Sequence, residues 1–482
     1  MVSRRLAGRY TAIAMGVALA FSLPLAAHAA DQTTHKKSTE TAREKQLEAR
    51  VDQLEQELAE LKGMIQQQRS DTAQAQQTAV QAQQTAQATQ AQVQTVAAAP
   101  APKPQFTTAP GMSVALHGWV SASAFSQSKN FTFGNGQNAE YPVPGSHGSL
   151  SGVDIRNTRF WLDFTGAKLS GDWIGGGRIE MDFFGGFNGT GAYAQQQAVP
   201  RLRQAYMDLI NPETGSTVRI GQQWDLLFPI DMIPTSLSHI AFPLGFSTGV
   251  IGWRYPGVVW MQDLNHGSDG TKWRLDLAAF EGSWSGPGNN INFGSAGSPG
   301  FRPQIEARLH AQGSDWLAFA AGHYSREDLR GVGDTSPAPI KSNIKSTAFE
   351  VGASWKPGPW NLKGQIYTGN ALGQQFGAES QFGDIQETGG FVQVGYNFTK
   401  NWSVNAFYGM VNPDRDDVVR WIGQGSTGML KNRQSALSLQ YAAGAYELGV
   451  EVMHDKLDST TNGQVTRTTS GNQVSLNGLY KF

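Results

Sequence analysis

The chain has 482 residues, with 38 basic and 39 acidic side chains, 56 glycines and no cysteine. The lack of cysteine excludes a disulfide framework, zinc–thiolate sites and thiol chemistry. A formal net charge of −1 offers no overall basic field for a nucleic-acid partner. After residue 30, no run approaches the 18 or more apolar residues of a membrane-spanning helix. This low-charge, glycine-rich composition is unusual for a cytosolic enzyme.

Residues 1–29 are predicted to be a secretory signal peptide. Arg4 and Arg5 precede an apolar run at 12–25, and a small-x-small cleavage pattern follows at 27–29. The alternative is a single membrane anchor, for which the run is short. We therefore expect cleavage near Ala30 and export to a bacterial envelope, where a chain without cysteine does not depend on disulfides.

Residues 30–96 are predicted to form a periplasmic α-helical coiled coil. Apolar residues alternate spacings of four and three, which is the coiled-coil seam, at Leu47, Val51, Leu54, Leu58, Leu61 and Ile65. The register continues, mostly through alanines, to Val96. Val51 among leucines favours a dimer, and a solvated single helix or a spacer is the alternative. The proline-rich residues 97–111 are predicted to be a stiff linker.

From residue 112 onward the hydrophobic period changes to two, which is typical of β-strands. In the last segment Val474, Leu476 and Tyr480 share one face, while Ser475 and Asn477 share the other. A soluble β-sandwich also has one apolar and one polar face. Charges in the middle of the polar face, and segments of about ten residues, favour a transmembrane barrel instead.

About sixteen such segments follow one another, and short turns alternate with long loops, as in outer-membrane barrels. Aromatic residues flank the short turns, for example Trp355 with Trp360 and Phe398 with Trp402. Such rings prefer the headgroup layer of a membrane. The predicted fold is therefore all-β and transmembrane. It is a 16-stranded antiparallel outer-membrane β-barrel, residues 112–482, preceded by the N-terminal coiled coil.

The exported coiled coil, the proline linker and the sixteen-strand pattern resemble the DcaP-type trimeric outer-membrane porins over essentially the whole mature chain. The more specific parts of the likeness are RLRQAY at 201–206, RIGQQW at 219–224 and the terminal LYKF at 479–482. The resemblance implies a homotrimer, which replaces the dimer, and import of small anionic solutes such as dicarboxylates. The terminal Phe482 resembles the signal that the barrel-insertion machinery reads.

In the predicted barrel, seven arginines face the lumen and are the candidate solute contacts: Arg159, Arg178, Arg219, Arg254, Arg274, Arg302 and Arg308. Acidic residues are interleaved with them, at Asp163, Glu180, Asp182, Asp276 and Glu306. Later strands turn Glu350, Glu447 and Glu451 inward, so we expect guanidinium groups on one wall and carboxylates on the other. Arginine forks match carboxylates and phosphates. Two functions fit this arrangement of charges: general permeation with a mild anion preference, and a tuned anion site. Gln204 occupies a lumen-facing position in the strand alternation. The neighbouring Arg203 is therefore expected at a strand end and not in the lumen wall.

Residues 222–249 are too apolar for a free surface loop. We expect them to fold into the barrel as a constriction loop, as the resemblance also implies, with Asp225 and Asp231 facing the arginine-bearing wall. Packing of this segment at the trimer interface is the alternative.

The predicted function is an outer-membrane porin for small hydrophilic solutes, embedded in outer-membrane lipid. The alternative is an envelope tether that reaches peptidoglycan through the coiled coil. Deleting residues 40–100 separates the two, because a porin keeps conducting without them. No HExxH, nucleophile elbow or P-loop occurs, and the nine histidines lack metal-ligand spacing. We therefore expect no enzyme, no cofactor, no metal and no nucleic-acid partner.

Overall fold

The computed structural model describes residues 50–51, 62–63, 66, 105–109, 111–132, 134–186, 198–266, 270–281, 302–328, 340–341, 343–376 and 381–482. The chain divides into two units, Met1–Ala101 and Pro102–Phe482. In the first unit, Arg50, Val51, Lys62, Gly63 and Gln66 are helical. The rest of the predicted coiled coil and the whole signal peptide lie outside the described residues, so both stay predictions.

Among the residues described, no helix has both the length and the apolar character needed to cross a membrane.

The second unit is one antiparallel sheet. Its strands in the described residues are β1 (Gln105–Ala109), β2 (Met112–Gln127), β3 (Leu150–Asp154), β4 (Arg159–Lys168), β5 (Ile174–Gly185), β6 (Val199–Asn211), β7 (Ser216–Trp224), β8 (Arg254–Asp263), β9 (Lys272–Phe280), β10 (Gln304–Gln312), β11 (Trp316–Asp328), β12 (Asn343–Trp355), β13 (Trp360–Asn370), β14 (Gln386–Asn397), β15 (Trp402–Pro413), β16 (Met429–Ala443), β17 (Tyr446–Thr460) and β18 (Thr466–Lys481). Two short helices, α1 (Leu372–Phe376) and α2 (Arg415–Arg420), lie in the connections.

The sheet closes into a barrel because β2 pairs with β4 on one edge and with β18 on the other. With β4 to β18 each paired to the next strand, sixteen strands form the closed ring, as predicted. Two short strands complete it. β3 continues the line of β4 beside the end of β2, and β1 pairs with the start of β2 beyond the end of β18. The predicted linker at 97–111 therefore contains a strand.

Side-chain exposure alternates along the strands as the sequence predicted. In β18, Val474 and Leu476 are exposed on the outer face, whereas Gln473, Ser475 and Asn477 are buried inside. In β12, Phe349 is likewise exposed outward and Glu350 is fully buried inward. The polar half of each period therefore faces the interior of the barrel, and the apolar half is left on the outer surface, as in a membrane barrel.

The connections fall into a short set and a long set at opposite ends of the barrel. The short set spans 169–173, 212–215, 264–271, 313–315, 356–359, 398–401 and 444–445. Aromatic rings pack against one another beside it, including Trp360 edge-on to Tyr396 and Tyr446 tilted against Tyr480, with centroids 4.7 and 4.9 Å apart. The predicted strict alternation is wrong at one place, because residues 461–465 join β17 to β18 by a tight turn at the long-loop end.

Residues 225–253, between β7 and β8, lie inside the barrel; we call them the infolded loop. Its bounds correct the predicted 222–249, because Gln222 and Gln223 still belong to β7. The loop passes so close to β14 that a Cβ on Gly249 would lie 2.3 Å from the carbonyl oxygen of Gly390. Gly249 also has a φ of +129°, which an L-residue rarely adopts.

Candidate functional site: the lumen and its infolded loop

An apolar core fills part of the barrel interior. Eight residues of the infolded loop join it, namely Leu226, Leu227, Phe228, Met232, Leu244, Phe246, Val250 and Ile251. Their partners are inward-facing residues of β8 to β17, including Val259, Phe280, Phe319, Tyr367, Phe391, Phe407 and Met453. Burying each large side chain contributes about 1.5–3 kcal/mol. This contact holds the loop against the later strands.

The base of the loop is closed by Asp225. Its Oδ1 accepts hydrogen bonds from the backbone N–H groups of Leu227 and Phe228, at 3.2 and 2.8 Å. Its Oδ2 accepts from the N–H of Trp253 at 2.8 Å, and the side chain is almost fully buried. Asp225 was expected to face the arginine-bearing wall, and Arg308 of that wall does act on its charge, but its hydrogen bonds go to the loop backbone. A short acidic side chain directly after a strand caps the loop backbone instead.

Strand β10 anchors the next residues of the loop. Glu306 accepts a hydrogen bond from the backbone N–H of Leu226 at 2.7 Å, and Arg308 donates to the carbonyl oxygens of Leu226 and Phe228. Arg308 points inward as predicted, but the loop covers it. It therefore positions the loop and does not line open space.

Strands β13, β14 and β17 hold the far side of the loop. Lys363 donates to the carbonyl oxygen of Ile233 at 2.8 Å, and Gln393 accepts from the backbone N–H of Thr235 at 2.7 Å. Glu451 accepts from the hydroxyl of Ser236 at 2.6 Å and contacts His239 Nδ1 at 2.9 Å. Glu350 and Glu451 do face inward, but both are buried under the loop, so they form no open acidic wall.

The early strands carry arginine–aspartate pairs rather than a wall of one charge. Arg178 donates two hydrogen bonds to Asp163, of 2.7 and 3.0 Å, and Arg219 donates two to Asp208, of 2.7 and 2.9 Å. Arg274 donates two to Asp276, of 2.7 and 2.9 Å. The prediction of segregated charges is wrong, because each of these forks is occupied by a carboxylate of the same wall.

A β-bulge in β6 turns two successive side chains inward. Glu180 pairs with Gln204 while the next residue of β5, Met181, pairs with Leu202, so Arg203 is the extra residue. Arg203 is 1% exposed and bridges Glu180 and Asp182 at 2.5 and 2.7 Å. The expectation of a strand-end position for Arg203 is therefore wrong. Strand alternation does not reveal a bulge, and two successive polar residues, Arg203 and Gln204, are its only trace in the sequence of β6.

A cavity of about 170 Å³ lies between the infolded loop and the early strands. The wall side presents Trp119, Arg159, Trp161, Arg178, Glu180, Arg203 and Gln204. The loop side, with the end of β7, presents Trp224, Phe228, Ile230, Ile233 and Ile240. The cavity therefore has a charged face opposite an apolar one.

Positive charge exceeds negative charge beside this cavity. Arg159, Arg201 and Arg203 share the carboxylates of Glu180 and Asp182, with Arg159 Nε the most distant at 3.8 Å from Glu180. Arg254 adds a fourth guanidinium near them, stacked 4.5 Å over Trp224 and 4.3 Å over Trp253. Arg254 is the first residue of β8, and its side chain is buried. It is therefore not open to the lumen.

The remaining predicted residues are scattered. Arg302 is exposed and precedes the start of β10, so its prediction as a lumen-wall residue is wrong. Asp231 is 43% exposed on the loop, with Oδ2 3.8 Å from His310 Nδ1. Glu447 pairs with Lys481 at the short-turn end. Among the side chains that the structure describes, no group of three or more His, Cys, Asp or Glu residues is placed to hold a metal ion.

The connection between β2 and β3 also folds inward and meets the infolded loop. Glu140 accepts a hydrogen bond of 2.7 Å from the hydroxyl of Ser247, and Gln434 on β16 donates to its carbonyl oxygen. Burial raises the pKa of Glu140 well above its usual value, which the hydrogen bond from Ser247 only partly opposes. Burial of this carboxyl group therefore favours its protonated form.

No family model matches the chain, and no curated protein matches it either. Among solved structures, the outer-membrane channel DcaP of Acinetobacter baumannii is similar to it, with a TM-score of 0.59 and 19% identity over 78% of this chain and 99% of that one. The anion-selective porin of Comamonas acidovorans has a TM-score of 0.49 and 15% identity over 77% and 100%. Salmonella typhi OmpF has a TM-score of 0.49 and 14% identity over 79% and 100%. The resemblance to DcaP-type outer-membrane channels that the sequence indicated is thus confirmed for the fold: the chain forms a sixteen-stranded barrel similar to that of a DcaP channel.

Proposed function

We propose that this protein is an outer-membrane porin through which small hydrophilic solutes diffuse, with a preference for small anions such as dicarboxylates. The observation that carries the proposal is the cavity beside Arg159, which lies in a closed barrel between the wall and the infolded loop. A barrel with apolar residues outside and polar residues inside suits a membrane with water-filled space within.

The preference for anions rests on local charge. Four guanidinium groups, those of Arg159, Arg201, Arg203 and Arg254, lie near only two carboxylates, those of Glu180 and Asp182. The excess is poorly screened, because Arg159, Arg203 and Arg254 have little contact with solvent. Charge at the narrow part of a pore decides which ions enter it.

The infolded loop is the proposed constriction. It narrows the space in front of the early strands, where Arg178 and Arg219 remain about a quarter to a third exposed, at 30% and 26%. On the loop, the exposed Asp231 acts electrostatically on Arg274 of the wall. Arg178, Arg219 and Asp231 are the proposed contacts for a hydrated solute entering the lumen.

Single-channel recording of the purified protein in planar bilayers tests the porin function. Stepwise conductance in KCl is expected, and its absence in correctly folded protein contradicts the proposal. The constriction is tested by Arg219→Ala and Asp231→Ala. Each is expected to change conductance or anion preference, because each removes a charge that faces the solute path. Unchanged values in both variants argue against a constriction at this level.

The assembly is part of the same proposal. We expect a homotrimer in outer-membrane lipid. Residues 30–96 are expected to form a coiled coil in the periplasm, which can contact peptidoglycan there. The C-terminal Phe482 is half exposed, and its backbone is paired with Gly118 at 3.0 and 3.1 Å. An exposed terminal ring suits a signal for the barrel-insertion machinery. Cross-linking in intact cells, with and without residues 40–100, measures how far the trimer depends on the coiled coil.

A further inference from the structure

Three buried N–H groups beside the cavity lack a partner. They are Nε and Nη2 of Arg159 and Nε1 of Trp161, and none has a hydrogen-bond acceptor among the residues that the structure describes. Both side chains line the cavity. A buried donor without an acceptor is unfavourable, so an acceptor-rich group that enters the cavity gains by binding here.

Arg159 differs from the other guanidinium groups of the cavity. Arg178 directs Nε and Nη2 at Asp163, and Arg203 directs Nε and Nη1 at Glu180 and Asp182. Arg159 Nε is 3.8 Å from Glu180 Oε1, which already accepts from Arg203 at 2.5 Å. Arg159 is therefore ion-paired only at long range, and its Nε and Nη2 keep their hydrogen-bonding capacity for a group that enters the cavity.

The Trp161 ring is fixed by its neighbours. It stacks on His117 with centroids 5.4 Å apart and an interplanar angle of 15°, and the Arg178 guanidinium lies 5.5 Å from its centroid. These contacts hold the free N–H of Trp161 in one orientation. A single carboxylate between Arg159 and Trp161 satisfies both, since carboxylate oxygens accept several hydrogen bonds.

The rest of the cavity suits an apolar body. Phe228, Ile230, Ile233 and Ile240 of the infolded loop face the charged wall, and Trp119 adds an aromatic side. The volume of about 170 Å³ is close to that of an apolar cavity that holds benzene, about 150 Å³. A second carboxylate would meet the isoleucines and lose its hydration without a partner.

We propose that this cavity binds an aromatic monocarboxylate of the size of benzoate, with its carboxylate on Arg159 and Trp161 and its ring against the isoleucines of the infolded loop. The inference rests on the porin function and names the class of solute that this cavity retains. A hydrophilic dicarboxylate, which the proposed anion preference also admits to the lumen, is expected to bind here less tightly.

The test is block of single-channel KCl current by added solutes, measured as a half-blocking concentration on the full-length protein. Benzoate is expected to block saturably, succinate to need a concentration at least tenfold higher, and benzyl alcohol to give no block. Arg159→Gln should raise the half-blocking concentration of benzoate at least tenfold. Trp161→Phe keeps an aromatic ring, removes the N–H and should raise the half-blocking concentration severalfold.

Arg433→Gln is the matched control, because it removes one arginine charge on β16 outside the cavity. Its half-blocking concentration should stay within twofold of that of the wild type. Equal block by succinate and benzoate, equal block by benzyl alcohol, or wild-type values in both Arg159→Gln and Trp161→Phe overturns the inference. If Arg159→Gln gives no channels, Trp161→Phe decides alone. A wild-type protein without KCl conductance contradicts the porin function itself, whereas conductance without block by benzoate contradicts only the site.

Discussion

The guanidinium of Arg203 donates from Nε to Oε1 of Glu180 over 2.5 Å, although alternation along β6 places Arg203 on the outer face. The bulge opposite Glu180 makes this contact, and both side chains are buried inside the barrel. The pair joins β5 to β6 where the cavity begins. It also leaves Arg159 without a close carboxylate of its own.

Arg203→Gln is expected to lower the free energy of unfolding by about 3–5 kcal/mol, because it leaves buried carboxylates without their cation. Denaturant midpoints in detergent measure this change. The double variant Arg203→Gln with Glu180→Gln should recover part of the loss. As a control, Arg433→Gln breaks the less buried pair with Asp458 and should cost about 1 kcal/mol or less. A cost for Arg203→Gln as small as that of the control contradicts the role of the pair.

His239→Ala is expected to loosen the infolded loop, because it leaves Glu451 with only the hydroxyl of Ser236. A hydrogen bond to a charged group is worth about 1.5–3 kcal/mol. Single-channel conductance should therefore rise, with more flickering between levels. Glu447→Ala on the same strand serves as the control, since it pairs with Lys481 at the short-turn end. Equal conductance in the wild type and His239→Ala means that this contact does not hold the constriction.

Gly249→Ala is expected to push the infolded loop away from β14. The new Cβ would lie 2.3 Å from the carbonyl oxygen of Gly390, and the φ of +129° disfavours any side chain. The loss of stability should be about 1 kcal/mol or more. Gly186→Ala is the control, since no atom of the described residues lies within 4 Å of its added Cβ, and it should stay within about 0.5 kcal/mol. Similar unfolding midpoints for the two variants refute the close approach.

The contact between Glu140 and Ser247 predicts a dependence on pH. Burial raises the pKa of Glu140 in the folded protein above its value in the unfolded chain. Between these two values the folded state holds the extra proton, so stability falls as pH rises through this range. The protection factors of the amides of residues 134–141, which are corrected for the pH dependence of intrinsic exchange, should therefore be larger at pH 5 than at pH 8. Glu140→Gln should remove most of this difference, and an unchanged difference in that variant assigns it to another group.

The barrel itself is predictable from the sequence, because period-two alternation and the aromatic residues beside short turns report directly on the two faces of a membrane strand. Leu476 and Phe349 lie outside and Ser475 and Glu350 inside, as the pattern indicates. The infolding of residues 225–253 is predictable for a similar reason, since their apolar side chains need a dry surface.

The wall that the loop covers was not predicted, yet the sequence contains a signal for it. Phe319, Phe391 and Phe407 stand at inward positions of later strands, where water-facing lumen residues should be polar. Other features leave no signal of this kind. The bulge at Arg203 breaks the period by one residue, and the capping role of Asp225 depends on where β7 ends, which a pattern locates only to within a few residues.

The central claim is that excess positive charge at the cavity makes the channel prefer anions. The reversal potential across a KCl gradient measures this preference directly. The wild-type channel should reverse towards the equilibrium potential of chloride, and Arg159→Gln should shift the value towards that of potassium, while Arg433→Gln leaves it in place. A wild-type channel that reverses towards the equilibrium potential of potassium, or an Arg159→Gln channel with the wild-type value, contradicts the claim.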